Sequence, residues 1–249
     1  MRVPPALTAV LLSTTRLATP SLAISQKPAT AYFQPLQKND VLHSTYSHKA
    51  TCAAAATLVL ANTAKLAATV VTATVATATT SMPECGLKIL LSCVAGYEFA
   101  DFGSGVYHWA MDNYGNKDTP IFGKQIEAFQ GHHERPWTIT HRQTCNNLHQ
   151  PAIATMPFLA FYLVFVKSVN ALAFGLVAMT FIMTSQELHK WSHTLISELP
   201  TIPRTLQKCK LIVAPRDHLQ HHRPPFDRNY CIVSGHMNKP LTKMAFFSR

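Results

Sequence analysis

Arg216-Asp217-His218-Leu219-Gln220-His221-His222-Arg223-Pro224-Pro225 sets three imidazoles at i, i+3 and i+4 in a short charged stretch. On a helix these positions share one face. Imidazole suits iron, copper, nickel and zinc, and three such ligands are too few to close a bridged pair of metals alone. The remaining ligands must come from elsewhere in the chain. Just upstream, His189-Lys190-Trp191-Ser192-His193 gives another i, i+4 pair at the end of an apolar segment. Further back stand His132-His133, His141, His149, and His108 within an apolar run. Of the 13 histidines, His108, His132, His133, His149, His189, His193, His218, His221 and His222 fall at or near the ends of hydrophobic segments. Apolar walls there exclude water from a metal centre. If these side chains are to meet, the apolar segments between them must be helices that return repeatedly to one side.

Composition agrees with that reading. Of the 249 residues 47% are hydrophobic and only 14% charged, with 22 basic against 12 acidic side chains. The apolar residues collect in long blocks, and Lys and Arg collect between and after them. A net charge of +10 suits an anionic membrane surface or nucleic acid. No RNP-like, zinc-finger or basic-zipper pattern is present, so no nucleic-acid partner is expected. Residues 1–39 lack Asp and Glu and hold Arg2, Arg16, Lys27 and Lys38 among Ser, Thr, Ala and Pro. That is the composition of an organelle transit peptide; a secretory signal would need more than the short stretch Ala6 to Leu12, which Arg16 follows closely. The domain is therefore expected over residues 40–249. Cys52, Cys85, Cys93, Cys145, Cys209 and Cys231 show no C-x-x-C and no compact framework, so scattered free thiols are expected.

A first apolar block runs from Ala53 to Thr80 with one charge, Lys65, and a second from Leu87 to about Met111. A third, Ala152 to Ser185, is broken by Lys167, Ser168 and Asn170, which read as the turn of a helical hairpin whose second arm continues through His193. These lengths cross a hydrocarbon core of about 30 Å about four times. Within the second block Glu98, Asp101, His108 and Asp112 step by three or four. Ionisable groups inside a span nearly always face a partner or cavity, so Asp101 and Asp112 read as acids that orient or complete a histidine site. Between residues 113 and 150 the chain is rich in loop signals, with Ile121, Phe122, Ile126 and Phe129 able to anchor an interfacial helix. Four crossings place every histidine cluster on one side, which also carries most of the basic residues and, from the positive-inside tendency, faces cytosol, stroma or matrix. Trp109, Trp137 and Trp191 fit an aromatic belt there. The expected fold is thus an all-α integral membrane bundle with about four transmembrane helices and a histidine-rich di-metal cap on one side.

Neutral imidazole binds Fe(II) without adding charge and leaves it able to activate O2, whereas thiolates would point to zinc or an iron–sulfur cluster. His133-Glu134 does not open an H-E-x-x-H zinc motif, because Trp137 occupies the place of the second histidine. Paired histidines could ligate haem, but two ligands do not account for nine. His43, His48 and His236 read as ordinary polar residues, and His141 is open.

Four runs carry a resemblance. Asp101 to Trp109, Phe129 to Pro136, His189 to His193, and His218 to His222 followed by Tyr230 to Gly235 resemble the family of plant fatty acid desaturase 4 and animal plasmanylethanolamine desaturase, over about Asn39 to Lys243. The resemblance implies a membrane enzyme with two non-haem irons that introduces a double bond into an acyl or alkyl chain of an intact phospholipid. In the plant branch the implied substrate is palmitate on plastid phosphatidylglycerol. It further implies O2 as oxidant, a ferredoxin as electron donor, and a multi-pass chloroplast membrane location with the histidines facing the stroma. The irons would be held by His108, His132, His133, His189, His193, His218, His221 and His222, with His149 a further candidate. Asp101, Asp112 and Glu187 would hold imidazoles in the right tautomer, and Arg135, Arg216 and Arg223 would bind the lipid phosphate. Glu187 stands where many relatives carry Gln, and Met237 where an aromatic residue is expected. The same oxidant in a hydroxylase would return oxygen to carbon. A non-enzymatic metal or haem carrier would instead spread histidines over several depths and both sides.

Overall fold

The computed structural model describes residues 36–37, 41–76 and 82–247, so the expected leader lies outside the described residues except for Leu36 and Gln37. Four long helices form the body: α1 (Tyr46–Ala76), α2 (Met82–Asn113), α4 (Thr144–Phe165) and α5 (Val169–His193). Shorter pieces build a cap: α3 (Gly123–Glu134), a 3-10 helix (Pro136–His141), α6 (Thr201–Lys208), α7 (Pro215–His218) and α8 (Asn238–Lys243). The described residues contain no strand.

The long helices pack in the order α2, α5, α4, α1, with α5 also touching α1. Asn62 of α1 donates to Leu159 O of α4 (3.0 Å), and Lys65, three residues on, donates to Tyr162 O and Leu163 O (3.0 and 2.8 Å). Contacts that advance together in this way make α1 and α4 parallel. On the other side Gly96 of α2 lies against Phe174 and Ala178 of α5, while His108 meets His189 about three turns further along both helices. Thus α2 and α5 also run parallel, and both deliver their C-terminal ends to the cap. A Cβ on Gly96 would fall 2.4 Å from Phe174 O, and one on Gly175 would fall 1.9 Å from the Tyr162 ring. These two glycines set how closely α5 approaches its neighbours.

The polar residues in the middle of α1 suit an apolar environment because most of them find a hydrogen-bond acceptor within the protein. Thr57, Thr63, Thr69, Thr72 and Thr74 all return their hydroxyls to the carbonyl four residues back, the local bond available to threonine in a helix. Lys65 puts its ammonium on carbonyls at the C-terminal end of α4, where the last turn has unpaired acceptors and a negative dipole end. Three helices are long and apolar enough to cross a membrane: Tyr46–Val75, Thr144–Phe165 and Val169–His193. The fourth expected crossing, α2, has 32 residues but carries Glu98, Asp101 and Asp112, whose side chains turn to protein partners. By length and composition the count is therefore three among the described residues. The hairpin turn falls at 166–168, where Ser168 caps α5 by accepting from Ala171 N–H. Ile121 and Phe122 are exposed, and Ile126 is buried beneath α3.

Candidate metal centre

Asp101 builds the floor of the site. Fully buried on α2, its Oδ1 accepts from the backbone N–H groups of Val233, Ser234 and Gly235 at 3.2, 2.8 and 2.9 Å, and its Oδ2 from Met237 N–H at 3.0 Å. Ser104 Oγ, one turn on, accepts from Ile232 N–H at 3.1 Å. Four N–H donors satisfy the carboxylate and pin the segment 230–237 along α2. The expectation that Asp101 orients an imidazole directly is therefore corrected, since it binds backbone. Its effect reaches the histidines at one remove. The pinned segment brings Tyr230 O to His108 Nδ1 (3.1 Å), and the residues before it bring Arg228 O to His221 Nδ1 (3.1 Å). With Nδ1–H donating to a carbonyl, each ring presents the lone pair of Nε2.

The donors gather into two groups, in each of which all candidate ligand atoms lie within 4.8 Å of one another: His132, His189, His193, His218 and His222, and beside them His108, Asp112, His133 and His221. Neighbours in sequence part company, for His132 and His133 enter different groups, as do His221 and His222. In the first group Nε2 atoms face one another at 3.0 Å (His132 and His193), 2.8 Å (His189 and His218), 3.2 Å (His189 and His193) and 3.2 Å (His218 and His222). In the second, Asp112 Oδ2 lies 2.9 Å from His133 Nε2, 3.2 Å from His221 Nε2 and 3.4 Å from His108 Nε2. Asp112 sits i+4 from His108 and shares its face, so it is a direct member of the group.

The rings fit a pair of transition-metal ions. Two donors about 2.1 Å from one ion at a right angle are about 3.0 Å apart, close to the Nε2 separations found. The four Nε2 contacts run as one chain, His132–His193–His189–His218–His222, and with one N–H per neutral ring they cannot all be hydrogen bonds. His108 Nε2, and the Nδ1 atoms of His189, His218 and His222, are buried without a hydrogen-bond partner. Burial, followed by the crowding of neighbouring imidazoles, holds His132, His218 and His222 well below the ordinary histidine range, which leaves them neutral and able to ligate at pH 7. Burial also lowers His221, against the opposing hydrogen bond to Asp112. No thiol enters either group, and an all-nitrogen and carboxylate donor set suits iron better than a thiolate-dependent zinc or cluster site.

The helix expected over His218 to His222 is one turn long. α7 ends at His218, and the chain tightens to bonds such as His221 N–H to His218 O (2.9 Å). The trio still faces inward, but His221 points to one group and its neighbours to the other. His149 is not brought in: its Nδ1 donates to Asn146 O (2.7 Å) and its ring stacks on His48 at 3.8 Å, so its face of α4 points toward α1. Glu187 touches no imidazole either. It accepts from Thr144 Oγ1, Asn147 Nδ2 and Lys190 Nζ at 3.3, 3.1 and 3.3 Å, tying the start of α4 to the end of α5. Arg135 closes α3 with its backbone N–H, and Arg216 and Arg223 are exposed on the segment bearing the histidine trio. His236 bridges Glu98 and Lys210 O, both at 2.8 Å. The sequence reading missed Tyr230 and Arg228, which act through carbonyls that no side-chain pattern reports. Beside the carboxylate-bearing group a cleft of about 180 Å³ is lined by Asp112, Asn113, Gln130, His133, Phe226 and Tyr230.

Comparison with known proteins bears on this geometry. Residues 97–249, which carry every member of both groups, match the lipid desaturase domain. Fatty acid desaturase 4-like 1, chloroplastic, of Arabidopsis thaliana is 42% identical over 218 residues, covering 86% of this chain and 70% of that protein. Fatty acid desaturase 4, chloroplastic, of the same plant is 48% identical over 165 residues, 65% of this chain and half of that protein. Plasmanylethanolamine desaturase of Myxococcus xanthus is 36% identical over 171 residues, covering 66% of this chain and 60% of its own. No solved structure matches.

Proposed function

The chain belongs to the lipid desaturase family, and from that premise we propose that it introduces a double bond into an acyl chain of an intact phospholipid in a chloroplast membrane. The reading is carried by one observation: eight imidazoles and one carboxylate, from α2, α3, α5 and the segment 218–222, lie in two adjoining groups. Palmitate on phosphatidylglycerol is the proposed substrate, by analogy with the plant branch, and the histidine cap is proposed to face the stroma. The metal/haem carrier reading is less well supported, because the donors gather at one depth.

Removing two hydrogens from adjacent carbons while O2 becomes two waters requires two further electrons and two protons. Two iron ions, when bound, supply this O2-dependent oxidation. His132, His189, His193, His218 and His222 would hold one, and His108, Asp112, His133 and His221 the other. Tyr230 O and Arg228 O keep His108 and His221 in the tautomer that presents Nε2. Asp112, next to three of the rings, supplies negative charge where cationic charge would be held. Burial of His108, His189, His218 and His221 keeps bulk water from the centre. The cleft at Asp112 and His133 is wide enough for a small molecule or a stretch of chain, and is the proposed approach to the site. Arg216 and Arg223, exposed beside the trio, and Arg135, at the end of α3, are the proposed phosphate contacts. The chain has no nucleotide-binding glycine motif, and a ferredoxin is the proposed donor.

Lipid profiling in a host that lacks the activity tests the reading. The native chain should add an unsaturated acyl species to phosphatidylglycerol, and His189→Ala and His221→Ala should reduce it to background. Identical lipids from all three would reject the proposal, and a hydroxylated product would move the chain to the hydroxylase reading.

A further inference from the structure

His48 and Cys52 lie at i, i+4 on α1, and Cys145 and His149 lie at i, i+4 on α4. The two helices run parallel, and their register, fixed by Asn62 on Leu159 O and Lys65 on Tyr162 O, sets His48 level with Cys145 and Cys52 level with His149. The four residues thus form a two-by-two array. Across one diagonal the imidazoles stack, with centroids 3.8 Å apart and planes 15° from parallel. Across the other, the Cys52 thiol donates to Cys145 O at 3.8 Å. Both diagonals run across the contact between α1 and α4.

We propose that His48, Cys52, Cys145 and His149 form a second metal site, one that takes a single tetrahedral zinc-type cation and joins α1 to α4. Two thiolates and two imidazoles at helical spacing are the donor set such an ion selects, distinct from the thiol-free centre described above. His149 Nδ1 donates to Asn146 O (2.7 Å), which fixes the tautomer with the Nε2 lone pair outward, now met only by the exposed Gln150 amide at 3.1 Å. His48 Nδ1 accepts a long bond of 3.4 Å from Thr45 N–H, which a metal bond would replace. All four residues are partly buried, so the ion has both an entry path and shielding. Closing the tetrad turns the two rings out of their stack by side-chain rotation. The ion enters as a dication, two thiol protons leave to solvent, and nothing is oxidised or reduced.

The test uses the full-length purified protein, kept reduced and titrated with cobalt(II). Thiolate-to-cobalt charge-transfer absorption should appear at one equivalent and vanish on adding zinc. Cys52→Ser with Cys145→Ser should abolish it, and His48→Asn with His149→Asn should weaken binding at least tenfold. Helical circular dichroism checks that each variant is folded. Cobalt bound by the histidine-only centre gives no thiolate band, so the result is independent of whether the desaturase reading holds. Absence of the band in the native chain, its persistence in the double-serine variant, or a Cys52–Cys145 disulfide in reduced preparations would overturn the proposal.

Discussion

Asp101 and Asp112 occupy one stripe of α2, and the structure gives them different work. Asp101 is the acceptor for four backbone N–H groups, two of them buried and two partly buried. Replacing it with Ala leaves those donors unpaired, and each unpaired buried group costs about 1–3 kcal/mol; even with partial relaxation Asp101→Ala should lose roughly 3 kcal/mol, read as a lowered unfolding midpoint in detergent. Asp112→Asn keeps the shape but removes the charge beside three imidazoles. It should lower bound iron and activity with little effect on the unfolding of metal-free protein, and a variant that retains full iron would show the carboxylate to be dispensable. His236 gives a pH signature. Both ring nitrogens face acceptors, Glu98 and Lys210 O, so the imidazolium is the form that fits. Burial works against that charge, but the hydrogen bonds outweigh it and raise the pKa. A raised folded-state pKa contributes stability that is complete below the unfolded value of about 6.5 and is lost as pH rises through the folded value. The stability difference between native chain and His236→Gln should therefore be larger at pH 6 than at pH 9 in thermal unfolding.

At the level of helices, the contact of α2 with α5 decides whether His108 and His189 meet. A Cβ on Gly96 would meet the backbone oxygen of Phe174 at 2.4 Å, whereas one on Gly103, in the same helix, would meet nothing within 4 Å. Gly96→Ala should cost about 1–3 kcal/mol by forcing the helices apart and should reduce iron content, while Gly103→Ala should be neutral or mildly stabilising; equal behaviour of the two in thermal unfolding and iron analysis would refute the packing argument. The helices themselves were legible in the sequence, because long apolar blocks between turn residues admit few alternatives. The block that begins at Ala53 became α1 at Tyr46–Ala76, and of the three residues read as the hairpin turn Lys167 and Ser168 mark it while Asn170 lies inside α5. Histidine spacing also indicated a convergent centre. Its partition was not legible, since adjacent residues such as His132 and His133 diverge only once α3 is docked. Nor was the clamp of Asp101, whose partners lie more than 130 residues away, or the fate of His149. A position near the end of an apolar block does not say which neighbouring helix its face will meet.

On the scale of the molecule, the histidine groups are the point at which α2, α3, α5 and the segment 218–222 are held together. The cap pieces are short, and α7 spans only four residues, too few to be stable helices by themselves. Their placement must come from shared partners. Metal, when bound, would be such a partner, because the native fold assembles its ligands and the unfolded chain does not. A ligand at a hundred times its dissociation constant stabilises the native state by about 2.7 kcal/mol, and each kcal/mol moves the midpoint of a chain this size by about 2–4 °C. Chelation of the as-isolated protein should therefore lower the unfolding midpoint by roughly 5–10 °C, with the earliest loss of amide protection in residues 215–237. His189→Ala should start lower and respond less. The shift should survive in the chain carrying Cys52→Ser and Cys145→Ser, because neither residue belongs to the histidine centre. If chelation removes iron and the midpoint does not move, the cap is held by its hydrogen bonds to α2 alone, and the metal serves the reaction without supporting the fold.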